Sequence, residues 1–223
     1  MTENKRRADP PEPTPRLRLI ACGALARELL AIINQLPPDA VELTCLPAAW
    51  HNHPKKILPG LKAKVKAARK AGRTPVVIYG DCGTGGQLDA FLDEQNIQRI
   101  PGPHCYHSFM GDAGFDAAID QELDTFFLTD YMVRHFERIV MKGMGLRDHP
   151  QLRDMYFAHY KRVLYITQTD DAALVEKARR AAITLQLEYD YHYTGFGGYT
   201  AFLHNLCNQR QPSVCVRYTI IDQ

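Results

Sequence analysis

The chain has 223 residues, of which 45% are hydrophobic and 23% are charged, and its formal net charge is +2. This composition is ordinary for a globular protein and excludes a mostly disordered chain, a collagen-like fibre and a coiled-coil rod. No run of 18 apolar residues occurs, so we expect no transmembrane helix. The six cysteines are too few for a disulfide scaffold, and no apolar signal segment follows the basic N-terminal residues. We therefore expect a cytoplasmic protein with reduced thiols.

The elements in chain order predict an α/β fold. Residues 1–15 are polar and rich in proline, so they are expected to form a disordered tail before a single domain at 16–223. Short apolar runs predict strands at 17–21, 41–45, 75–79, 98–100, 162–166 and 188–192. Helical spacing of apolar residues predicts helices at 55–73, 87–95 and 171–185 and near the C-terminus. Residues 114–160 are predicted to be a helical insertion, with a long amphipathic helix at 125–144.

Three segments share the order strand, turn, helix, short strand and a closing aromatic–histidine pair. They span about 16–54, 75–113 and 161–198, the usual size of a βαβ element. The closing pairs are Trp50-His51, Tyr106-His107 and Tyr191-His192. The sequence thus predicts three βαβ-like units, which a pseudo-threefold arrangement would pack together, with the helical insertion before the third. Because ligands of parallel α/β folds bind beyond the carboxyl ends of strands, such packing would bring the polar turns to one cleft.

Three of the cysteines follow predicted strands in polar or glycine-rich turns. These are Cys22, Cys82 and Cys105, and His104 adjoins the last of them. Thiolate and imidazole ligands suit zinc, iron or copper better than calcium or magnesium. We predict a metal site at Cys22, Cys82, His104 and Cys105, with zinc preferred and an iron–sulfur cluster as the alternative; His51 is a substitute ligand. The other cysteines, at positions 45, 207 and 215, are expected to be small buried apolar residues.

A metal-free enzyme is the competing interpretation. Cys82 would then be the nucleophile, His51 or His104 its base, and Asp81 a general acid or base. The glycine-rich loop 80–86 precedes a predicted helix, so its backbone amides could bind an anion or a cofactor. The candidate cofactor-binding residues are Gly83, Thr84, Gly85, Gly86 and Tyr106. A tight turn that requires glycine explains the loop equally well, and neither a Walker A motif nor GxGxxG is present, so ATP and NAD are not expected.

Two sets of charged residues are expected to lie on the surface. Residues 55–73 contain eight lysines or arginines and no acidic residue. No aromatic residues alternate with these charges, so a nucleic-acid partner is not expected. Asp130, Arg134 and His135, near the start of the predicted long helix, are also expected to be solvated charges.

Several segments resemble the DUF1638 family, a domain of unknown function, over about residues 17–203. They are Cys22-Gly-Ala-Leu, Leu46-Pro-Ala-Ala-Trp-His-Asn, Tyr79-Gly-Asp-Cys-Gly-Thr-Gly-Gly, Gly102-Pro-His-Cys-Tyr, Thr125-Phe-Phe-Leu-Thr-Asp and Tyr165-Ile-Thr-Gln-Thr. The family usually has an acidic residue where this sequence has His107. Because members often accompany corrinoid-dependent methyltransferase systems for methylated amines, the resemblance implies an enzyme or accessory factor of methyl-group metabolism.

The resemblance also bears on cofactors and partners. It adds a corrinoid to the candidate cofactors, and a non-enzymatic corrinoid or metal carrier to the candidate functions. The expected partner is a small molecule or a corrinoid protein, with no membrane association.

Overall fold

The chain folds into two parallel three-stranded sheets, as seen in a computed structural model that describes residues 16–38, 40–111 and 124–210. The strand order is β2-β1-β3 in the first sheet and β4-β5-β6 in the second. The strands are β1 (Leu17–Cys22), β2 (Val41–Leu46), β3 (Thr74–Ile78), β4 (Thr125–Thr129), β5 (Arg162–Thr167) and β6 (Glu188–Tyr193). The predicted α/β class is confirmed. The predicted tail at 1–15 and part of the predicted insertion, 112–123, lie outside the described residues.

Helices connect and follow these strands. They are α1 (Ala26–Ile33), α2 (Ile57–Lys70), α3 (Gln87–Glu94), α4 (residues 105–111), α5 (Asp130–Arg134), α6 (Leu152–Tyr156), α7 (Ala172–Leu185) and α8 (Gly198–Arg210). Short 3-10 turns precede α1 and α2, and a π-helical turn spans Glu137–Lys142. None of the described helices is long and apolar enough to cross a membrane.

The first sheet follows the predicted strands closely. β1 lies between β2 and β3, with Leu17 paired to Val41 on one side and to Thr74 on the other. Its residues are buried except Arg18, as expected for a central parallel strand covered on both faces. A single parallel bridge from Val77 to Arg99 occupies the place of the short strand predicted at 98–100.

The second sheet corrects the prediction of a helix at 125–144. The first five residues of that range form β4, which pairs in parallel with β5 from Thr125 opposite Arg162. Four of the five β4 residues are buried. A short run of apolar residues that is buried on both faces has no alternation, so its sequence resembles a buried helix segment.

The three-unit repeat is not confirmed. β1 and β3 belong to the same sheet, whereas β5 belongs to the other. The aromatic–histidine pairs also differ in local structure. Trp50-His51 lies in a 3-10 turn, Tyr106-His107 in α4, and Tyr191-His192 in the edge strand β6. These pairs are therefore not equivalent positions of a structural repeat.

One apolar core joins the two sheets. It contains Leu19 and Ile78 of the first sheet, Phe127 and Ile166 of the second, and Leu203 of α8. A second core lies between the second sheet and α7, where Val163 and Tyr165 pack against Leu174 and Ala178. Side chains of both sheets thus pack in one core. This packing holds the carboxyl ends of the strands in the two sheets in place relative to each other.

Candidate functional site at the carboxyl edge of the first sheet

Three predicted thiols lie together at the carboxyl end of the first sheet. Cys22 is the last residue of β1, Cys82 follows β3, and Cys105 begins α4. Burial and then the charge of Cys22 raise the pKa of Cys82 to about 11. Burial, followed by the charges of Cys82 and Cys22, also raises the pKa of Cys105. The charge of Cys22 thus reaches both other thiols, which places the three side chains near one another.

A close backbone approach brings two of these thiols to the same place. The Asp81 amide donates to the Pro103 carbonyl at 2.9 Å. A Cβ atom added to Gly80 would lie 2.6 Å from the Cα of His104. Only glycine allows this contact, and the contact holds the loop after β3 against the segment that leads into Cys105.

The loop around Cys82 is shaped by the Asp81 carboxylate. This carboxylate accepts hydrogen bonds from the Thr84 hydroxyl at 2.5 Å, the Gly85 amide at 3.1 Å and the Gly86 amide at 2.9 Å. The Thr84 hydroxyl, followed by these amides, lowers the pKa of Asp81. Cys82 itself adopts a left-handed conformation with φ of +46°.

The hydrogen bonds to Asp81 use donors that the predicted cofactor loop would need for a ligand. The amides of Gly85 and Gly86, proposed above to bind an anion, already donate to a carboxylate of their own loop, as does the Thr84 hydroxyl. Gly83, in the same loop, faces Pro54, to which an added Cβ would approach within 3.1 Å. The geometry favours the tight-turn interpretation of the glycines. The general acid or base role of Asp81 stays a prediction.

Two buried tyrosines that the sequence-based site did not include border the thiols. Tyr79 and Tyr199 are each 2% exposed. The Tyr79 hydroxyl lies close enough to the Cys22 thiol for each to affect the pKa of the other. It makes no hydrogen bond of standard geometry within the described residues. Burial, followed by the charge of Cys105, raises the pKa of Tyr199 well above its usual value. A signal for Tyr79 was present in the sequence, because it directly follows the buried strand β3 and directly precedes the glycine-rich loop.

The remaining predicted site residues are His104, Tyr106 and His51. His104 precedes Cys105, and its ring meets the Tyr106 ring edge-on with centroids 5.3 Å apart. Tyr106 stacks on Phe127 of β4 at 5.1 Å and donates its hydroxyl to the Met132 sulfur at 3.6 Å. His51 is exposed, and its side chain makes no hydrogen bond within the described part of the chain.

The other cysteines behave differently from one another. Cys207 is 6% exposed and packs in the shared core, as expected. Cys45 is half-buried on β2, and burial followed by the charge of Cys22 raises its pKa. Cys215 lies outside the described residues.

The donor atoms suit a soft metal, but the side chains are not arranged around one ion. Within residues 16–38, 40–111 and 124–210, no group of three or more His, Cys, Asp or Glu side chains could hold a metal ion. Three thiols are the ligand type of zinc and of iron–sulfur clusters. Zinc requires its ligand sulfurs at about 2.3 Å from one ion, whereas in a cluster each thiolate binds its own iron atom. The three free thiols therefore fit such a group by ligand type alone.

Comparison with known proteins identifies the family. A family model described as "Protein of unknown function (DUF1638)" matches residues 45–202, which is more than half of the chain. The chain therefore belongs to this family, as the sequence motifs predicted. No curated protein and no solved structure matches the chain.

Proposed function

We propose that this DUF1638 family member carries a thiolate-bound metal centre at Cys22, Cys82 and Cys105, and that it acts as an enzyme or accessory factor in corrinoid-linked methyl-group metabolism. Zinc is the preferred metal and an iron–sulfur cluster is the alternative. One observation carries the proposal: three thiols from three separate segments lie at one sheet edge, where the charge of Cys22 adds to burial in raising the pKa of Cys82 and the charges of Cys82 and Cys22 do so for Cys105. The metabolic setting follows from the family resemblance alone.

The raised thiol pKa values favour a metal over a free nucleophile. Thiolates that are buried side by side repel each other, and a bound cation removes both the desolvation cost and the repulsion. A metal-free Cys82 would be almost wholly protonated near neutral pH and hence a poor nucleophile. When bound, zinc would activate a thiol or a water molecule.

The surrounding side chains support a ligand at this place. The Tyr79 hydroxyl is buried beside the Cys22 thiol, so a ligand bound by Cys22 would also lie next to this hydroxyl. His104 adjoins Cys105, so its imidazole remains the proposed fourth ligand. A non-enzymatic metal or corrinoid carrier would use the same thiols, and only a turnover assay would separate it from an enzyme.

Metal content tests the proposal directly. Protein purified without oxygen should contain a stoichiometric amount of zinc, or of iron with acid-labile sulfide, by elemental analysis. Cys82→Ser should lose most of this metal, whereas Cys207→Ala, which changes a buried cysteine of α8, should retain it. Wild-type protein that contains no metal, or a Cys82→Ser variant that retains all of it, would rule out the proposed centre.

A further inference from the structure

The two outer edges of the second sheet differ in how far they are covered. At one edge, four of the five residues of β4 are buried, and Asp130, which directly follows β4, is 0% exposed. The expectation that Asp130 is a solvated charge was therefore wrong. At the other edge, five of the six residues of β6 are exposed, and no strand within residues 16–38, 40–111 and 124–210 pairs with its outer side. This edge is therefore open to a further strand.

The backbone of β6 directs alternate residues to its two sides. The Glu188 amide donates to the Lys161 carbonyl at 3.0 Å, so the even-numbered residues of β6 face β5. The N–H and C=O groups of the odd-numbered residues consequently point outward. These residues are Tyr189, Tyr191 and Tyr193. Backbone groups on an open sheet edge are a template for pairing with another strand.

The three tyrosines share one face of the sheet and are only partly covered. Tyr191 is 40% exposed and Tyr193 is 56% exposed, although the Tyr191 ring meets the Tyr165 ring edge-on with centroids 6.0 Å apart. The Tyr189 hydroxyl oxygen is buried without a hydrogen-bond partner in the described part of the chain, whereas a buried hydroxyl normally has one. The opposite face of β6 carries three exposed polar residues, Glu188, Asp190 and His192.

The position of α8 argues against a further strand of the same chain at this edge. α7 packs with Val163 and Tyr165 of β5, whereas α8 packs in the shared core with Leu164 and Ile166, so the two helices lie on opposite faces of the second sheet. Connections between parallel strands are right-handed, and the connection through α7 leads outward from β5 to β6. A right-handed connection through α8, on the other face, therefore leads back toward β4. The outer edge of β6 is left for a strand of another molecule.

We propose that β6 pairs with β6 of a second copy of this chain, antiparallel and centred on Tyr191, so that two three-stranded sheets form one continuous six-stranded sheet across a two-fold axis. Tyr191 then lies opposite its own equivalent, and Tyr189 lies opposite Tyr193 of the second copy. These are hydrogen-bonded pairs, because their outward backbone groups face each other. Aromatic residues in directly opposed positions stabilise a strand pair. Tyr193 of the second copy also brings a hydroxyl to the face where the Tyr189 hydroxyl lacks a partner within the described residues.

Charge selects this register over its neighbours. On the other face of the sheet, Asp190 lies opposite His192 of the second copy on both sides of the axis. An imidazole N–H donates to a carboxylate whether or not the ring is charged. Centring the strand pair on Asp190 would place two aspartates directly opposite each other, which is destabilising. Centring it on His192 would place two imidazoles opposite each other and remove both Asp190–His192 pairs.

Pairing also exchanges the hydrogen-bond partners of Asp190 without loss of a bond. In the single chain, Asp190 Oδ1 accepts from the outward Tyr191 amide at 2.9 Å, and Asp190 Oδ2 lies 3.4 Å from an Arg162 guanidinium nitrogen. The second copy supplies a backbone carbonyl to the Tyr191 amide. Asp190 Oδ1 is then released to accept from His192 of the second copy, and the ion pair with Arg162 is kept.

Hydrogen exchange of the intact chain tests the pairing without any substitution. As the protein concentration rises, the outward amides of Tyr189, Tyr191 and Tyr193 should gain protection, because they then donate to the second copy. The amides of Asp190 and His192 face β5 and should be protected at every concentration. Over the same range, sedimentation equilibrium should show the mass rising from 25.3 kDa toward twice that value.

Charge and edge variants test the register. His192→Asp places aspartates opposite each other and should raise the dimer dissociation constant at least tenfold. Asp190→His combined with His192→Asp restores unlike pairs and should recover most of the lost affinity. Tyr191→Lys places two lysines at the axis and should also weaken the dimer at least tenfold. Tyr156→Lys, at a tyrosine of α6 with the same 40% exposure, should dimerise like the wild type.

Four results would overturn the assignment. They are a wild-type protein that stays monomeric at every concentration, a His192→Asp variant that dimerises like the wild type, a double variant that regains no affinity, and outward β6 amides that are already protected in the monomer. The last result would show that residues of the same chain, outside the described ranges, cover this edge. Circular dichroism of each variant shows that the comparison is made between folded proteins.

Discussion

Loss of hydration is the main control on the ionisation of the three thiols at the carboxyl end of the first sheet. Cys22 is buried, and Cys82 and Cys105 are half-buried, with the charges of neighbouring thiols adding to the cost of ionisation. A Cys82 pKa of about 11 leaves roughly one thiol in ten thousand ionised at pH 7. The thiols therefore remain unreactive until something stabilises their negative charge.

The reactivity of Cys82 should report this pKa. In chelator-treated protein, the rate of its alkylation by iodoacetamide should rise about tenfold per pH unit between about pH 7 and pH 10, because the thiolate fraction does so below the pKa. Mass spectrometry of the peptide that contains Cys82 gives the rate. The same thiol in urea-unfolded protein is the control and should level off near its usual pKa of about 8.5. A plateau below about pH 8 in the folded protein would contradict the burial argument.

At the scale of elements, one glycine holds two loops in contact. Gly80 lies two residues after β3, and its missing side chain leaves room for His104 and for the hydrogen bond from Asp81 to Pro103. The position of Cys82 relative to Cys105 thus depends on a backbone contact between two loops.

Gly80→Ala should separate these loops. A Cβ atom 2.6 Å from the His104 Cα forces the backbone to shift, and we expect the free energy of unfolding to fall by about 1–3 kcal/mol, with loss of any bound metal. Urea denaturation and elemental analysis measure the two effects. Gly72→Ala is the control: its φ is +65° with nothing within 4 Å, so it should cost only about 1 kcal/mol of backbone strain and spare the site. Equal effects of the two substitutions would mean that the close approach at Gly80 is unimportant.

For the whole molecule, the shared core determines whether the two sheets unfold together. Phe127 of β4 is 8% exposed in the core that also holds β1 and β3, and Tyr106 stacks on it. Neither sheet can lose this core without exposing the inner face of the other. The described part of the chain is therefore expected to unfold as one unit.

Two spectroscopic probes should show a single transition. The only tryptophan, Trp50, follows β2 and reports the first sheet by fluorescence, whereas far-ultraviolet circular dichroism reports both sheets. Their urea transitions should coincide. Phe127→Ala should lower both midpoints together, at a cost of about 3–5 kcal/mol, while Ile183→Ala, at a residue 69% exposed, should change little. A Phe127→Ala transition that splits into two steps would show that the sheets are independent units.

The sequence by itself determined the local elements and the family. Continuous apolar runs placed β1, β3 and β5 correctly, because strands buried on both faces leave that pattern. The same lack of alternation made β4 resemble a helix, so the division into two sheets was missed. The motifs from Cys22 to Thr169 predicted the family, and the family match over residues 45–202 confirms it.

Only the tertiary structure decided which residues meet. Cys22, Cys82 and Cys105 lie on separate segments, and their proximity depends on parallel pairing and on the approach at Gly80. The burial of Tyr79, Glu28 and Asp130 was equally hidden, because a polar side chain in a sequence does not show whether other elements cover it. Long-range contacts between the two sheets supply that cover, and hydrophobic periodicity, which reports one element at a time, carries no record of them.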